Sequence, residues 1–124
     1  MERQRISSGS PYEPIIGFSR AVRVGEHVHV SGTAPIGIDS DDPYEQTKAC
    51  LEIVLTALAE ADARPDDVVR TRIYATNADD FEEVARAHGE VFGSIRPAST
   101  YVLVSGLLDP SWRVEIEADA ILPE

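Results

Sequence analysis

Hydrophobic and polar residues alternate with a period of two in two neighbouring segments, Arg20-Ala21-Val22-Arg23-Val24 and His27-Val28-His29-Val30-Ser31. Gly25-Glu26 between them predicts a tight hairpin. The loop from Gly32 to Asp42, with Pro35 and Gly37, ends the pair. The period then changes to that of a helix. Asp42 is placed to cap, Pro43 takes the first helical position and Glu45 stands three residues after the cap. Leu51, Val54, Leu55, Leu58 and Ala61 follow at helical spacing, and the helix is expected to run to about Asp62 and stop before Pro65. Asp67 to Ala75 reads as a strand with Val69, Thr71 and Ile73 on one face and Arg70, Arg72 and Tyr74 on the other. A second helix opens at Asn77 or Asp79, carries Phe81, Val84, Ala85, His88, Val91 and Phe92 on one stripe, and stops at Gly93. Ser99 to Ser105 and Trp112 to Leu122, separated by the turn Leu108-Asp109-Pro110, are the closing strands.

The order β-β-α-β-α-β-β predicts an α+β layer, with both helices on one face of a mixed sheet. The other face is expected to carry Arg70, Arg72, Tyr74, Tyr101 and Leu103. Such a mixed aromatic, aliphatic and charged surface favours a subunit interface over a solvated face. The 124 residues are read as one domain spanning 1–124.

Charge narrows the choice of partners. Eleven Lys and Arg against 22 Asp and Glu leave a formal net charge of −11, and no basic cluster opposes it locally. Nucleic acid is therefore not an expected partner. No apolar run approaches the ~18 residues of a membrane-spanning helix, and residues 1–10 lack the apolar core of a secretory signal. The single Cys50 cannot form an internal disulfide, so a reducing, cytoplasmic location is expected.

Several residues are candidates for chemistry. His27 and His29 share a strand face and offer two metal ligands, but no third completes a site, and no metal is expected. His88, on an apolar stripe, reads as a packed histidine, and Cys50 as a buried, inert thiol. Ser31-Gly32 at a strand end is a turn signal that also presents a hydroxyl and backbone N–H groups. The last strand is more informative. Glu115, Glu117 and Asp119 project from one face, where like charges repel and desolvation is costly. Either that face is wet or cations such as Arg70 and Arg72 lie across from it. A carboxylate raised in pKa by such neighbours suits general acid–base work.

Seven short pieces in order make the chain resemble the RidA/YjgF family, from about Gly17 to Ala120. Ile16-Gly17-Phe18-Ser19-Arg20-Ala21-Val22 matches the family's G-P-Y-S-Q-A-V, and Val30-Ser31-Gly32-Thr33-Ala34-Pro35 its V-S-G-Q-I-P. Gln46-Thr47, Asp67-Val68-Val69-Arg70-Thr71 for D-V-V-K-T, and Asp80-Phe81 follow. Pro97-Ala98-Ser99-Thr100 stands for P-A-R-T, and Val114-Glu115-Ile116-Glu117-Ala118 for V-E-I-E-A. The resemblance implies a chorismate-mutase-like subunit in a homotrimer, with small-molecule clefts between subunits. It also implies cofactor-free hydrolysis of reactive enamines and imines to keto acids and ammonia.

The same resemblance assigns Glu115 the role of positioning the attacking water and makes Phe18, Ser31 and Ser99 candidate substrate contacts. Tyr101, as an apolar wall, and Arg72, as a cation, are further candidates for the same cleft. Ser99 stands where the family has an arginine that clamps the substrate carboxylate, and Phe18 where it has a tyrosine. Loss of a buried charged clamp weakens carboxylate binding by ~2–5 kcal/mol, roughly 30- to several-thousand-fold. Efficient 2-imino acid deamination is accordingly not expected. Arg72 and Arg96 are candidate replacements for the clamp. The alternative reading is a non-catalytic trimer that binds or senses a small ligand.

Overall fold

A computed structural model describes residues 2–124. Along the chain run β1 (Arg3–Ile6), β2 (Ala21–Val24), β3 (His27–Thr33), α1 (Pro43–Glu60), β4 (Val68–Ala75), α2 (Phe81–Phe92), β5 (Ala98–Leu103) and β6 (Val114–Ile121). The strands form one six-stranded sheet in the order β1-β2-β3-β6-β4-β5. β4 and β5 are parallel and the other neighbours antiparallel. Both helices cover the same sheet face. Between them lies the core, where Leu51, Val54 and Leu58 of α1 and Val84 and Phe92 of α2 meet Val28, Val30, Ile73 and Ile116. This is the expected α+β architecture.

Local chemistry accounts for the helix ends. The Asp42 side chain accepts a hydrogen bond from the Tyr44 N–H at 3.1 Å, and Pro43 opens α1. Asp62, left-handed at φ 64°, turns the chain out, and the Ala63 N–H donates back to the Leu58 carbonyl at 2.8 Å. Asn77 caps a short 3₁₀ turn, Ala78–Asp80, and α2 starts one residue later. Asp80 is buried and accepts from Nε and Nη2 of Arg113 at 2.8 and 2.9 Å, which ties the start of α2 to the start of β6. Gly93 ends α2 in a right-handed conformation; the left-handed residue is Arg96, at φ 59°.

Four details differ from the sequence expectation. β1 was not foreseen: Arg-Gln-Arg-Ile has one inward residue, Ile6, and pairs only at the sheet edge. A register shift between Val68 and Arg70 turns Val68 inward and leaves Val69 exposed, so the inner face of β4 reads Val68, Thr71, Ile73. Phe81 is exposed and packs edge-on against Tyr101, and Ala87 joins Val84 and Phe92 on the buried side of α2. Tyr101 and Leu103 stand beside Ile73 and Ala75 in the parallel register, which puts them on the helix side. The open face of β5 carries Thr100 and Val102 instead.

Arg72 is the cation on that open face that meets the acidic row. Its Nη1 lies 3.4 Å from Glu117 and 3.6 Å from Asp119. Tyr74 donates its hydroxyl to Glu117, and His29 Nδ1 is 2.7 Å from Asp119. Arg70 stands opposite Asp119 in register, yet the ion pair is made by Arg72.

Candidate functional site

At the end of the sheet where β2 begins, β3 finishes and β6 starts, the β3–β6 register shifts. Val30 pairs with Ala118 and Thr33 with Ile116, so Ser31 and Gly32 together oppose Glu117. Glu115 lies over Gly32. A Cβ at Gly32 would collide with the Glu115 carboxylate and come within 3.2 Å of its Cδ. Glycine is needed here for space.

Arg20 reaches the carbonyl of the same residue. Its Nη2 donates to the Gly32 carbonyl at 2.6 Å, and its guanidinium lies 5.5 Å from the centre of the Phe18 ring. The side chain is only 7% exposed, and its Nε–H has no hydrogen-bond acceptor among the described residues. A single wide turn over Glu13–Gly17, closed by the Phe18 N–H on the Glu13 carbonyl at 3.0 Å, delivers Phe18 and Arg20 to this position. Glu13 is itself buried and accepts from the Ser7 and Ser8 hydroxyls at 2.8 and 2.7 Å and from the Ser8 N–H at 3.0 Å. The Ser8 hydroxyl, ahead of the other donors, holds the Glu13 pKa down at about 2.

These groups line a cavity of about 660 Å³ whose walls include Phe18, Ile36, Leu108 and Trp112, with Arg20 and Glu115 as its charged members. Burial raises the pKa of Glu115; Arg20 opposes that shift, and Glu117 adds to it. The result is a carboxylate held in an apolar-walled pocket beside a buried cation, a pairing suited to moving protons and fixing a small polar molecule.

The residues anticipated from sequence divide between this cavity and elsewhere. Glu115 and Phe18 line it. Ser31 lines a neighbouring hollow on the open sheet face, and its hydroxyl donates to the Ser19 carbonyl at 2.6 Å. Arg72 is engaged by Glu117 and Asp119 on that face. Ser99 sits on the helix side of β5, its Oγ 2.8 Å from Thr71 Oγ1, which in turn is 2.9 Å from His88 Nε2. Tyr101 is on the same side, its hydroxyl buried with no hydrogen-bond partner among the described residues. Within the single chain, then, neither Ser99 nor Tyr101 lines the Glu115 cavity.

Arg20 was missed as a site residue. Strict alternation would place it on a sheet face like any strand arginine, and only the wide turn before it and the bulge across from it bring its head into the cavity. The other candidates have local roles. The Cys50 thiol is pushed up in pKa by burial and points at the Val114 carbonyl. His27 and His29 stack with ring centres 6.5 Å apart. No cluster of three or more potential metal ligands occurs among the described residues.

Fold and site together define an α+β chain with a cavity at one end of its sheet that holds Glu115 and Arg20. The chain belongs to the RidA/YjgF family: residues 9–122 match the family model described as Endoribonuclease L-PSP. It is 34% identical over 112 residues to a RutC family protein of Pyrococcus abyssi, covering 86% of this chain and 88% of that one. An uncharacterized protein of Streptomyces coelicolor is 40% identical over 121 residues, covering 94% of this chain and 90% of its own. A crystal structure of a Mycobacterium tuberculosis member of the YjgF/YER057c/UK114 family superposes with a TM-score of 0.93 at 45% identity, covering 98% of this chain and all of that one. Among the described residues no helix is long and apolar enough to cross a membrane.

Proposed function

We propose that the protein is a hydrolase of a small imine-like or related metabolite, working without a cofactor in the Glu115 cavity. The observation that carries this reading is Glu115 itself, a carboxylate raised in pKa by burial and seated against the Gly32 peptide in an apolar-walled pocket. In this scheme Glu115 takes a proton from water as the water oxygen bonds to the imine carbon and the C=N electron pair moves onto nitrogen. Glu115 returns that proton to the nitrogen, and the carbinolamine collapses to the carbonyl product and ammonia. Three copies of the chain assemble through the open sheet face and along edge strand β5, whose exposed Ser99 then borders the neighbouring subunit's cleft. Ser99 in place of the family arginine makes 2-imino acids poor substrates.

That same substitution favours a second reading, a trimer that binds or senses a small ligand without turning it over. The ribonuclease activity named for the family model finds less support, since a net charge of −11 and an acidic strand face repel RNA.

Generating 2-imino acids in situ with an amino-acid oxidase and following their hydrolysis tests the proposal. Weak wild-type turnover that Glu115→Gln abolishes and Ser99→Arg increases, in variants of unchanged mass by light scattering, is the expected result. Turnover unaffected by Glu115→Gln overturns the catalytic role. A wild type silent toward imino acids and a panel of neutral imines, yet binding one of them stoichiometrically, supports the second reading.

A further inference from the structure

Arg20 is almost wholly buried, yet its hydrogen bonding is incomplete. The guanidinium donates to Gly32, while Nε–H faces no acceptor among the described residues, a costly state for a buried charged donor. Glu115 lies against the Cα of the same glycine and lines the same cavity. A negatively charged group entering that cavity therefore meets one fixed cation and one carboxylate that already uses its field.

We propose that Arg20 is shared: an anionic group of the ligand and the Glu115 carboxylate compete for its guanidinium, so that binding of the anion carries a proton onto Glu115. The inference rests on the reading that this cavity holds a small ligand, and it names the ligand's class as a small monocarboxylate or similar monoanion, which binds at Arg20 but leaves Glu115 protonated and so is turned over poorly. By linkage, affinity for the anion falls as Glu115 ionises with rising pH.

The surrounding groups leave Glu115 as the one that answers. On the turn before β2, Glu13 faces Arg20 and is ionised above a pH of about 2. On α1, the Cys50 thiol is pushed up by burial; on β4, Tyr74 is pushed up by its hydrogen bond to Glu117; both stay neutral through the carboxylate range. Glu117, the other charge beside Glu115 on β6, is held by Arg72 and Tyr74. Tyr12 contributes a phenol to the cavity wall.

The test is a ¹³C NMR titration of protein labelled at the glutamate side-chain carboxyls, with Glu115 assigned by the signal lost in Glu115→Gln. Propionate, and propionamide as its neutral counterpart, serve as probes. Propionate is expected to raise the wild-type Glu115 midpoint by about one pH unit, a tenfold change in proton affinity, and propionamide to leave it in place. Arg20→Gln is expected to raise the midpoint without ligand and to abolish the propionate effect. Arg20→Lys keeps the charge but not the fork, and is expected to hold the free midpoint near wild type with a smaller propionate effect. A midpoint unmoved by Arg20→Gln, or a propionate effect equal in wild type and either variant, overturns the proposal. A wild type that hydrolyses no imine refutes the catalytic reading alone, because the titration does not depend on turnover.

Discussion

Glu115 exposes the conflict between stability and chemistry at the level of one side chain. Burial raises its pKa, so the folded state favours the protonated form more than the unfolded chain does. A group of this sign contributes stability that is present below its ordinary value of 4.5 and lost as pH rises through the higher folded value. At neutral pH the ionised carboxylate is therefore a liability. Glu115→Gln is expected to raise the thermal midpoint at pH 7 relative to wild type and to show no gain at pH 4, measured by calorimetry at both. A lower midpoint at pH 7 would mean that Glu115 acts mainly as a counter-ion to Arg20. Glu115 stood out in the sequence because alternation on β6 exposes a row of acids. Arg20 did not, because its position depends on a turn and a bulge contributed by residues at either side of the hairpin.

Elements show the same division between local and non-local information. Capping and apolar spacing are local, so α1 and its Asp42–Pro43 start were legible, as was the β2–β3 hairpin. The inward phase of β4 was not, because the slip at Val69 follows from pairing with β6, and β1 was invisible because a short edge strand needs little hydrophobic pattern. The segment between β1 and β2 is held by Glu13, whose pKa near 2 makes a pH prediction of the opposite sign to that of Glu115. A depressed group gives stability that is fully present above its ordinary 4.5 and lost as pH falls toward about 2. The thermal midpoint should drop across that window in wild type. Glu13→Gln should flatten the drop, and an equally steep fall in the variant would assign the acid sensitivity to other carboxylates.

For the whole molecule the question is what covers the open sheet face. α1 and α2 leave it bare, and it carries the network of Arg72, Tyr74, Glu117, Asp119 and His29 together with Val22, Val24 and Val102. A surface that mixes aliphatic side chains with carboxylates partly offset by Arg72 suits association between copies, because the aliphatic area gains on burial and Arg72 offsets part of the cost of desolvating Glu117 and Asp119. Self-association also removes the aliphatic side chains of this face from water. The 13.5 kDa chain is accordingly expected to sediment at three times that mass. Val102, 38% exposed on edge strand β5, places an apolar side chain on this face without touching the core or the Glu115 cavity. Val102→Asp adds a charge to a chain already at −11, and burying it between subunits would leave it unpaired. The variant should keep its far-ultraviolet circular dichroism and sediment as a monomer. If the neighbouring subunit completes the cleft, ligand binding should be lost with the trimer. A Val102→Asp protein that remains trimeric would place the interface elsewhere on the surface, whereas a monomer that still binds ligand would make the Glu115 cavity complete within one chain.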